Sequence, residues 1–457
     1  MHSYTKKYYI LLLSISLLSC RKYVESVPIQ GQRVLEYTDD YRALMNYSDL
    51  LQPAFGQAPV LSSDDLDYTA DVLQSNIKAN TIQRSMYTWR KPFYVDLNSD
   101  NDWAAIYSCM YTLNTVINQV MVSKGGSEVV KSNILAEALV HRAFGYFMLA
   151  NLYGKQYDIA TADKDPAVPL LLEPKLFVDL TRASVLQVYS KVIEDTKKAI
   201  PMLPLKQDIN FRPNKASAYA LLSKVYLFMR DFTKAEAYAD NTLALSSDLY
   251  NYNTSLNSFP SQYNDKQVLL RKTSLAYPYP MQLSGSLLNL LGVKDLRYSL
   301  FVKPGTNFFP VFPGLGYWSR ENYSGYPDKQ AVGLSVNETW LIKAECLARA
   351  GKKDEAVKML NTLRKMRFLP ADYADIAAAT NEEALQLVIN ERRLEFFGTG
   401  LRWFDQKRLN KDPMFAKAAT RVFDGVTYTL EPNSNGYVFP LANILISQNP
   451  EMVQNPN

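Results

Sequence analysis

The sequence predicts a mainly α chain, a tetratricopeptide-like helical repeat scaffold of about four helix pairs with an irregular loop-rich subdomain containing short strands. Three observations predict it. Two helix-turn-helix segments carry small residues at matching spacing. Further amphipathic segments flank them. The rest is rich in Tyr, Asn, Ser, Pro and Gly, with only short apolar runs.

The first copy reads Tyr219-x-x-Leu222-Ser223-x-x-Tyr226, turns at Arg230-Asp231-Phe232 and continues as Ala235-x-x-x-Ala239-x-x-Thr242. The second reads Trp340-x-x-Lys343-Ala344-x-x-Leu347, turns at Gly351-Lys352 and continues as Ala356-x-x-x-Leu360. Small residues at these positions let two antiparallel helices approach closely. Residues 102–122 and 129–152 predict a hairpin around Gly125-Gly126. Residues 184–200 place Val185, Val188, Val192 and Ile193 on one face and lead into a helix over 214–229. Residues 381–397 form another amphipathic helix, with Asn381 as its expected cap. Repeats bury their cores only by stacking, so these pairs predict one superhelical right-angle scaffold, mainly over 102–245 and 335–398.

Residues 53–101, 246–334 and 409–457 read as loop-rich, the last two as one irregular subdomain with strands such as Val268-Leu269-Leu270. Irregular stretches of this length are usually functional, so binding surfaces are expected there.

The N-terminus points to a membrane anchor. Lys6 and Lys7 precede an apolar run from Tyr8 to Leu18, which closes with Ser19-Cys20. This pattern is a secretory signal peptide over residues 1–20. The run is too short to span a bilayer, which needs about 20 residues. Cys20 stands where the lipobox cysteine of bacterial lipoproteins is acylated, so residues 21–457 are expected to form one unit tethered through a lipid on Cys20.

Composition excludes several functions. Removal of Lys6 and Lys7 takes the 50 basic residues to 48 against 45 acidic ones, with no basic tract, which argues against nucleic acid. Of the three cysteines, Cys109 and Cys346 lie in helical patterns and read as two buried thiols; no Cys-x-x-Cys occurs, so a thiolate zinc site is excluded. His141 is the one histidine left after His2 departs, and reads as a packed mid-helix residue. Asp64, Asp65 and Asp67 lack the glycine-bearing pattern of a calcium loop and read as an acidic turn. No metal, cofactor or catalytic residue is expected.

Four segments in order along the chain carry a resemblance. They are Glu137-Ala138-x-x-x-Arg142-Ala143-Phe144-x-Tyr146-Phe147 with Tyr153-Gly154, Ala218 to Leu227, Glu391-Arg392-x-x-Glu395-Phe396-Phe397-Gly398-x-Gly400-x-Arg402-Trp403-Phe404-Asp405-x-Lys407-Arg408, and Phe439-Pro440 with Asn449-Pro450 and Gln454-Asn455-Pro456. Together they resemble the RagB/SusD family of nutrient-binding outer-membrane lipoproteins. This copy has Thr399 and Gln406 where Glu and Leu are expected, and Arg21-Lys22 where acidic residues commonly follow the lipidated cysteine. Read without the family, Glu391, Glu395, Arg402, Asp405 and Arg408 suggest either a catalytic carboxylate pair with an arginine clamp or, better, a structural ion-pair network pinning a helix break.

The resemblance implies a lipid-anchored protein facing the cell exterior that acts as a lid over a SusC-like TonB-dependent transporter. It would bind an oligosaccharide, or in some branches a peptide, and do no chemistry on it. Sugar recognition needs aromatic faces with amide and carboxylate partners. The loop-rich stretches supply these at Asp64 to Tyr68, at Trp89 to Tyr94 and at Tyr317 to Tyr323. In the family, ligands are met by these chain regions, so Trp318 and Trp89 are the first candidates. Tyr317, Tyr323, Asn322, Arg320, Asp65 and Tyr68 stand around them. The rival readings are a peptide-capturing member and a carboxylate-based glycosidase.

Overall fold

The computed structural model describes residues 35–95, 98–254, 263–276, 278, 280–319 and 331–456. The signal peptide and Cys20, with the site candidates Arg320, Asn322 and Tyr323, lie outside the described residues.

Helices begin where the sequence supplies an acceptor for the first free amides. Asp100 caps α1 (Asn101–Gln119), Ser127 caps α2 (Glu128–Tyr153) and Ser184 caps α3 (Val185–Ala199). Asn214 caps α4 (Lys215–Phe228), Asp231 caps α5 (Phe232–Leu245) and Ser335 caps α6 (Val336–Arg349). α7 (Lys353–Arg364) follows the left-handed Gly351, and α8 spans Asn381–Phe396. Asn381 is not the cap of α8: the Thr380 hydroxyl takes the Glu383 amide at 3.1 Å, which makes Asn381 the first helical residue. α9 (Leu401–Leu409) restarts after Gly400, whose φ of +89° breaks the helical path.

α1 to α8 pack each on the next in chain order, the mainly helical, tetratricopeptide-like stack the spacing predicts. The small residues sit at the contacts. Ala235 and Ala239 of α5 are fully buried where α5 meets α4, and the Ser223 hydroxyl donates to Ala235 O at 2.9 Å. The Tyr226 and Tyr238 rings stack at 5.5 Å across the same pair. In the second copy Ala344 and Ala356 are buried, and the Trp340 indole donates to Met359 O at 3.0 Å.

Short strands and helices organise the stretches read as loop-rich, and residues 53–101 carry helices over Ala58–Ser62, Asp71–Ala79 and Thr81–Tyr87. β1 (Pro53–Phe55) pairs parallel with β3 (Thr273–Ser274), β2 (Val268–Leu270) antiparallel with β6 (Leu334–Ser335), and β4 (Val302–Pro304) antiparallel with β5 (Leu315–Trp318). β7 (Ala419–Phe423) and β8 (Val426–Leu430) form a hairpin. Asp424 and Gly425 turn it with φ of +51° and +73°, both positive as a tight two-residue hairpin requires. This hairpin packs on residues 53–95: Arg421 donates to the carbonyls of Leu61, Ser63 and Tyr87 at 2.7–2.9 Å, and Phe423 meets Tyr87 at 5.5 Å.

The C-terminus of α2 joins three of the distant motifs. Its last carbonyls would be orphaned. Lys407 donates to Asn151 O and Gly154 O at 2.7 and 2.6 Å, and Asn455 donates to Tyr153 O at 2.8 Å. Phe439 N donates to Leu152 O at 3.0 Å, and Asn455 also reaches Phe439 O at 2.8 Å. A buried ammonium at this helix end also meets the negative pole of the helix dipole. Cys109 and Cys346 are buried and unbonded to each other, and burial pushes the Cys109 thiol up to about 11.

Candidate ligand-binding site

Two loop-rich stretches meet edge to edge. Residues 64–67 run beside 281–284, where Ser284 N donates to Asp65 O at 2.7 Å, Asp67 N donates to Gln282 O at 3.1 Å and Leu66 bridges Leu283. On its other edge this segment meets β5, with Leu283 N on Gly316 O at 2.8 Å and Trp318 N on Met281 O at 3.0 Å. Tertiary structure therefore brings the Asp64–Tyr68 turn and the Tyr317-Trp318 strand to one seam.

The candidates occupy that seam differently. Tyr68 is buried, its hydroxyl donating to Pro280 O at 2.8 Å and its ring on Tyr87 at 5.1 Å. Tyr317 is buried against Phe308 and Phe312 and donates to Pro313 O at 3.0 Å. Asp65 is buried and paired with Arg393 at 3.0 Å, yet burial outweighs the arginine and raises its carboxyl above the usual range. Trp89 holds a left-handed backbone (φ +57°) and donates its indole N–H to Ser62 O at 2.9 Å. One face of that indole lies under the Arg421 guanidinium at 4.1 Å, and the guanidinium lies equally close to Tyr87 on the same clamp. Tyr68, Tyr317 and Asp65 fill the seam from within, while Trp89 packs beside it under the C-terminal hairpin. Irregular chain without a helical stripe must still bury large side chains, and aromatic residues of the kind suited to a sugar also serve as that filling.

Trp318 is half-buried. Its indole sits against Gly398: a Cβ there would stand 2.4 Å from the Trp318 ring, and Gly398 has φ of +72°. Only glycine fits both demands. Trp318 lines the edge of a cleft with Tyr252, Phe397, Asp265, Gln267 and Asn337. The enclosed part measures about 70 Å³. That is well below the roughly 300 Å³ of an enclosing small-molecule pocket, so the cleft is too small to enclose a sugar. That Gly398, Asp265, Gln267 and Asn337 gather around Trp318 was not legible in the sequence. Gly398 showed itself as a helix stop, but nothing in the chain pairs it with a tryptophan 80 positions earlier.

Beneath the cleft lies an ion-pair network built on the Glu391–Arg408 segment. Arg297 spans Asp295, Glu391 and Glu395 at 2.6–2.9 Å, and Arg367 also holds Glu395. Arg392 bridges Asp405 and Glu338 at 2.8 Å, Lys224 joins Glu338 at 2.9 Å, and Arg408 ties Asp405 to Glu345 at 2.8 Å. Arg402, expected near Asp405, instead pairs with Asp64 at 2.7 Å across the fold. Burial works against these carboxylates, but Arg408 and Arg349 hold Glu345 down to about 2, and Arg367 and Arg297 do the same for Glu395. Carboxylates locked in their ionised form cannot deliver a proton as a general acid. Among carboxyls buried elsewhere, burial and Asp100 push Asp102 up to about 7, but Asp102 is buried in the first turn of α1 and lines none of the cavities described.

Among the described residues no helix is long and apolar enough to cross a membrane. Known proteins resemble the chain along nearly its whole length. A family described as "Starch-binding associating with outer membrane" matches residues 38–227, and the SusD family matches residues 336–457. A SusD-like protein of Formosa agariphila is 24% identical over 424 residues, 78% of each chain. A SusD superfamily structure from Bacteroides thetaiotaomicron superposes with a TM-score of 0.74 at 21% identity, covering 92% of this chain and 100% of that one. A SusD-like carbohydrate binding protein from Bacteroides vulgatus gives 0.66 at 18% identity, covering 91% and 97%. At these identities the structures establish the shared fold, and the two family matches flank the segment that carries Trp318. On these grounds the chain belongs to the SusD/RagB family.

Proposed function

We propose that this protein binds an oligosaccharide at the outer membrane surface, tethered through Cys20, and passes it to a SusC-like TonB-dependent transporter without acting on it chemically. Residues 21–457 work as one unit in this reading. The observation that carries it is Trp318: a partly exposed indole, braced by Gly398, at the mouth of a cleft with amide and carboxylate neighbours. An indole face suits the C–H side of a pyranose, and Asn337, Gln267 and Asp265 suit its hydroxyls. Arg320, Asn322 and Tyr323 follow Trp318 directly in the chain and complete the proposed contact set. Tyr317, Tyr68 and Asp65 support that surface from the seam behind it, and Trp89 lies apart from it, under Arg421. The description of the matching family and a carbohydrate-binding structural neighbour agree with the ligand class.

The test is isothermal titration of the soluble protein from Arg21 onward against plant, host and microbial glycans, with peptides in parallel. We expect saturable binding to one glycan class, weakened about tenfold or more by Trp318→Ala while the transporter complex stays intact. Binding to peptides alone would replace the glycan reading with the peptide-capturing one. Release of reducing sugar from any bound glycan would overturn the non-catalytic role.

A further inference from the structure

One cavity away from Trp318 gathers positive charge. It measures about 280 Å³ and lies between α8, α9 and residues 414–420. It shares no lining residue with the Trp318 cleft. Three cations line it, one from each wall: Arg393 of α8, Arg402 of α9 and Lys417. Among the described residues Asp64 is the one carboxylate in the lining, and Asp65 stands behind it against Arg393. Three cations against these two carboxylates leave one net positive charge even with both ionised, and burial raises the Asp65 carboxyl, which weakens the countercharge further.

The ion pairs leave donors unused. Arg402 donates Nε and Nη2 to the two oxygens of Asp64 at 2.7 and 2.8 Å. Arg393 donates Nε to Asp65 at 3.0 Å and Nη2 to Asp64 O at 2.9 Å. Nη1 of each arginine has no hydrogen-bond partner among the described residues, and neither Nη1 is sealed from solvent. Lys417 is exposed and forms no ion pair among them. A clamp that fastens the Asp64-Asp65 turn to α8 and α9 needs only the arginine edges already engaged, and Lys417 has no part in it. Beside the cations, Phe415 and Met414 are half-buried in the wall. Asn390 accepts from Gln386 at 2.9 Å and Gln406 accepts from Asp64 N at 3.2 Å, so both amides keep their N–H groups for another partner.

We propose that this cavity binds an acidic sugar residue of a saccharide chain, its carboxylate or sulfate held by Lys417 and the unused Nη1 edges of Arg393 and Arg402, its ring against Phe415. The ligand class follows from the lining. Guanidinium and ammonium donors make stronger, charge-assisted hydrogen bonds to an anionic oxygen than to a hydroxyl. An aromatic face suits sugar C–H groups, and amide N–H groups suit the remaining hydroxyls. A cavity close to the roughly 300 Å³ lower limit of small-molecule sites takes one sugar residue and leaves the rest of the chain outside. This inference rests on the glycan-binding reading for the ligand being a saccharide, but uses a different site.

The test separates the two sites. Methionine methyl groups are labelled with ¹³C, and the Met414 signal is assigned by its loss in Met414→Leu. A tetragalacturonate and a sulfated galactan tetrasaccharide, each beside its methyl-esterified or desulfated counterpart, are titrated into wild type, Lys417→Glu, Phe415→Ala and Trp318→Ala. The expected result is a saturable Met414 shift with a charged chain, about tenfold or more weaker with its uncharged counterpart and weakened by added salt. Lys417→Glu abolishes the shift, Phe415→Ala weakens it about tenfold, and Trp318→Ala leaves it unchanged. The remaining methionine signals report that each variant is folded. A Met414 signal that stays still with all four chains overturns the site, whatever calorimetry shows at Trp318. Equal shifts from charged and uncharged counterparts, or a shift that survives Lys417→Glu, overturn the anion contact. Inorganic sulfate that binds as tightly as the sulfated chain marks an adventitious ion only and overturns the saccharide. A Met414 response without any Trp318-dependent heat keeps this site and removes the Trp318 site.

Discussion

Arg297 shows how much one side chain holds in this fold. It is buried among Asp295, Glu391 and Glu395, with every contact at 2.6–2.9 Å. A buried ion pair is weak grounds for net stability, because desolvation offsets attraction, but removal of one partner strands the others. Arg297→Met therefore leaves carboxylates facing each other in a low dielectric. We expect a loss of about 3–5 kcal/mol, read as a lowered urea midpoint, with Arg297→Lys recovering only part because the planar fork is gone. A midpoint within experimental error of wild type would show that the network relaxes or takes up water. At this scale the sequence was readable in kind but not in partner. Alternating charges in Glu391–Arg408 announced a network, and Asp405 does pair with Arg408, yet Arg402 reaches Asp64, 338 residues away. Spacing along a helix finds neighbours at three and four residues; it carries no information on a partner brought in by another element.

At the scale of elements, the seam between α4 and α5 rests on small side chains. Ala235 is fully buried, and Ser223 spans the gap to its carbonyl at 2.9 Å. Interiors are packed too tightly to absorb three added carbons there. Ala235→Leu is expected to cost about 1–3 kcal/mol and to lower the thermal midpoint, whereas Ala235→Ser stays near wild type. Equal midpoints for Leu and Ala would mean that the repeat spacing is tolerant at this contact. The repeat was legible because its signal is local: small residues, turns and caps all fall within about 35 consecutive positions. The seam of residues 64–67, 281–284 and 316–318 was not. Its segments are three or four residues long, too short to leave an alternating pattern, and Leu66 meets Leu283 across 217 positions while Gln282 meets Tyr317 across 35.

Across the whole molecule, the buried carboxylates link folding to pH. Glu345 and Glu395 have an ordinary value of 4.5 and are held at about 2 by their arginines. Their contribution is complete above the unfolded value and is lost as pH falls from 4.5 toward 2, about 3 kcal/mol each before relaxation. His141 adds to the same limb: burial keeps its imidazole neutral, so its contribution is present above the ordinary 6.5 and is lost as pH falls. The urea midpoint should therefore drop steeply below pH 4.5, and Glu395→Gln should make that limb shallower. A flat midpoint down to pH 2.5 would show that the network is not the acid-labile element of the fold.

By itself the sequence determined the helical stack and the family. These follow from patterns that repeat or cap within a turn or two, where each residue's environment is set by near neighbours. Only tertiary structure decided which aromatics fill and which face outward. Trp89 and Trp318 are alike in the chain, both in loop-rich stretches beside tyrosines, yet Arg421 from the far C-terminus covers the one while Gly398 braces the other at the surface. An aromatic ring serves as core filling or as a sugar platform by the same chemistry, and the difference lies in what the rest of the chain brings against its faces.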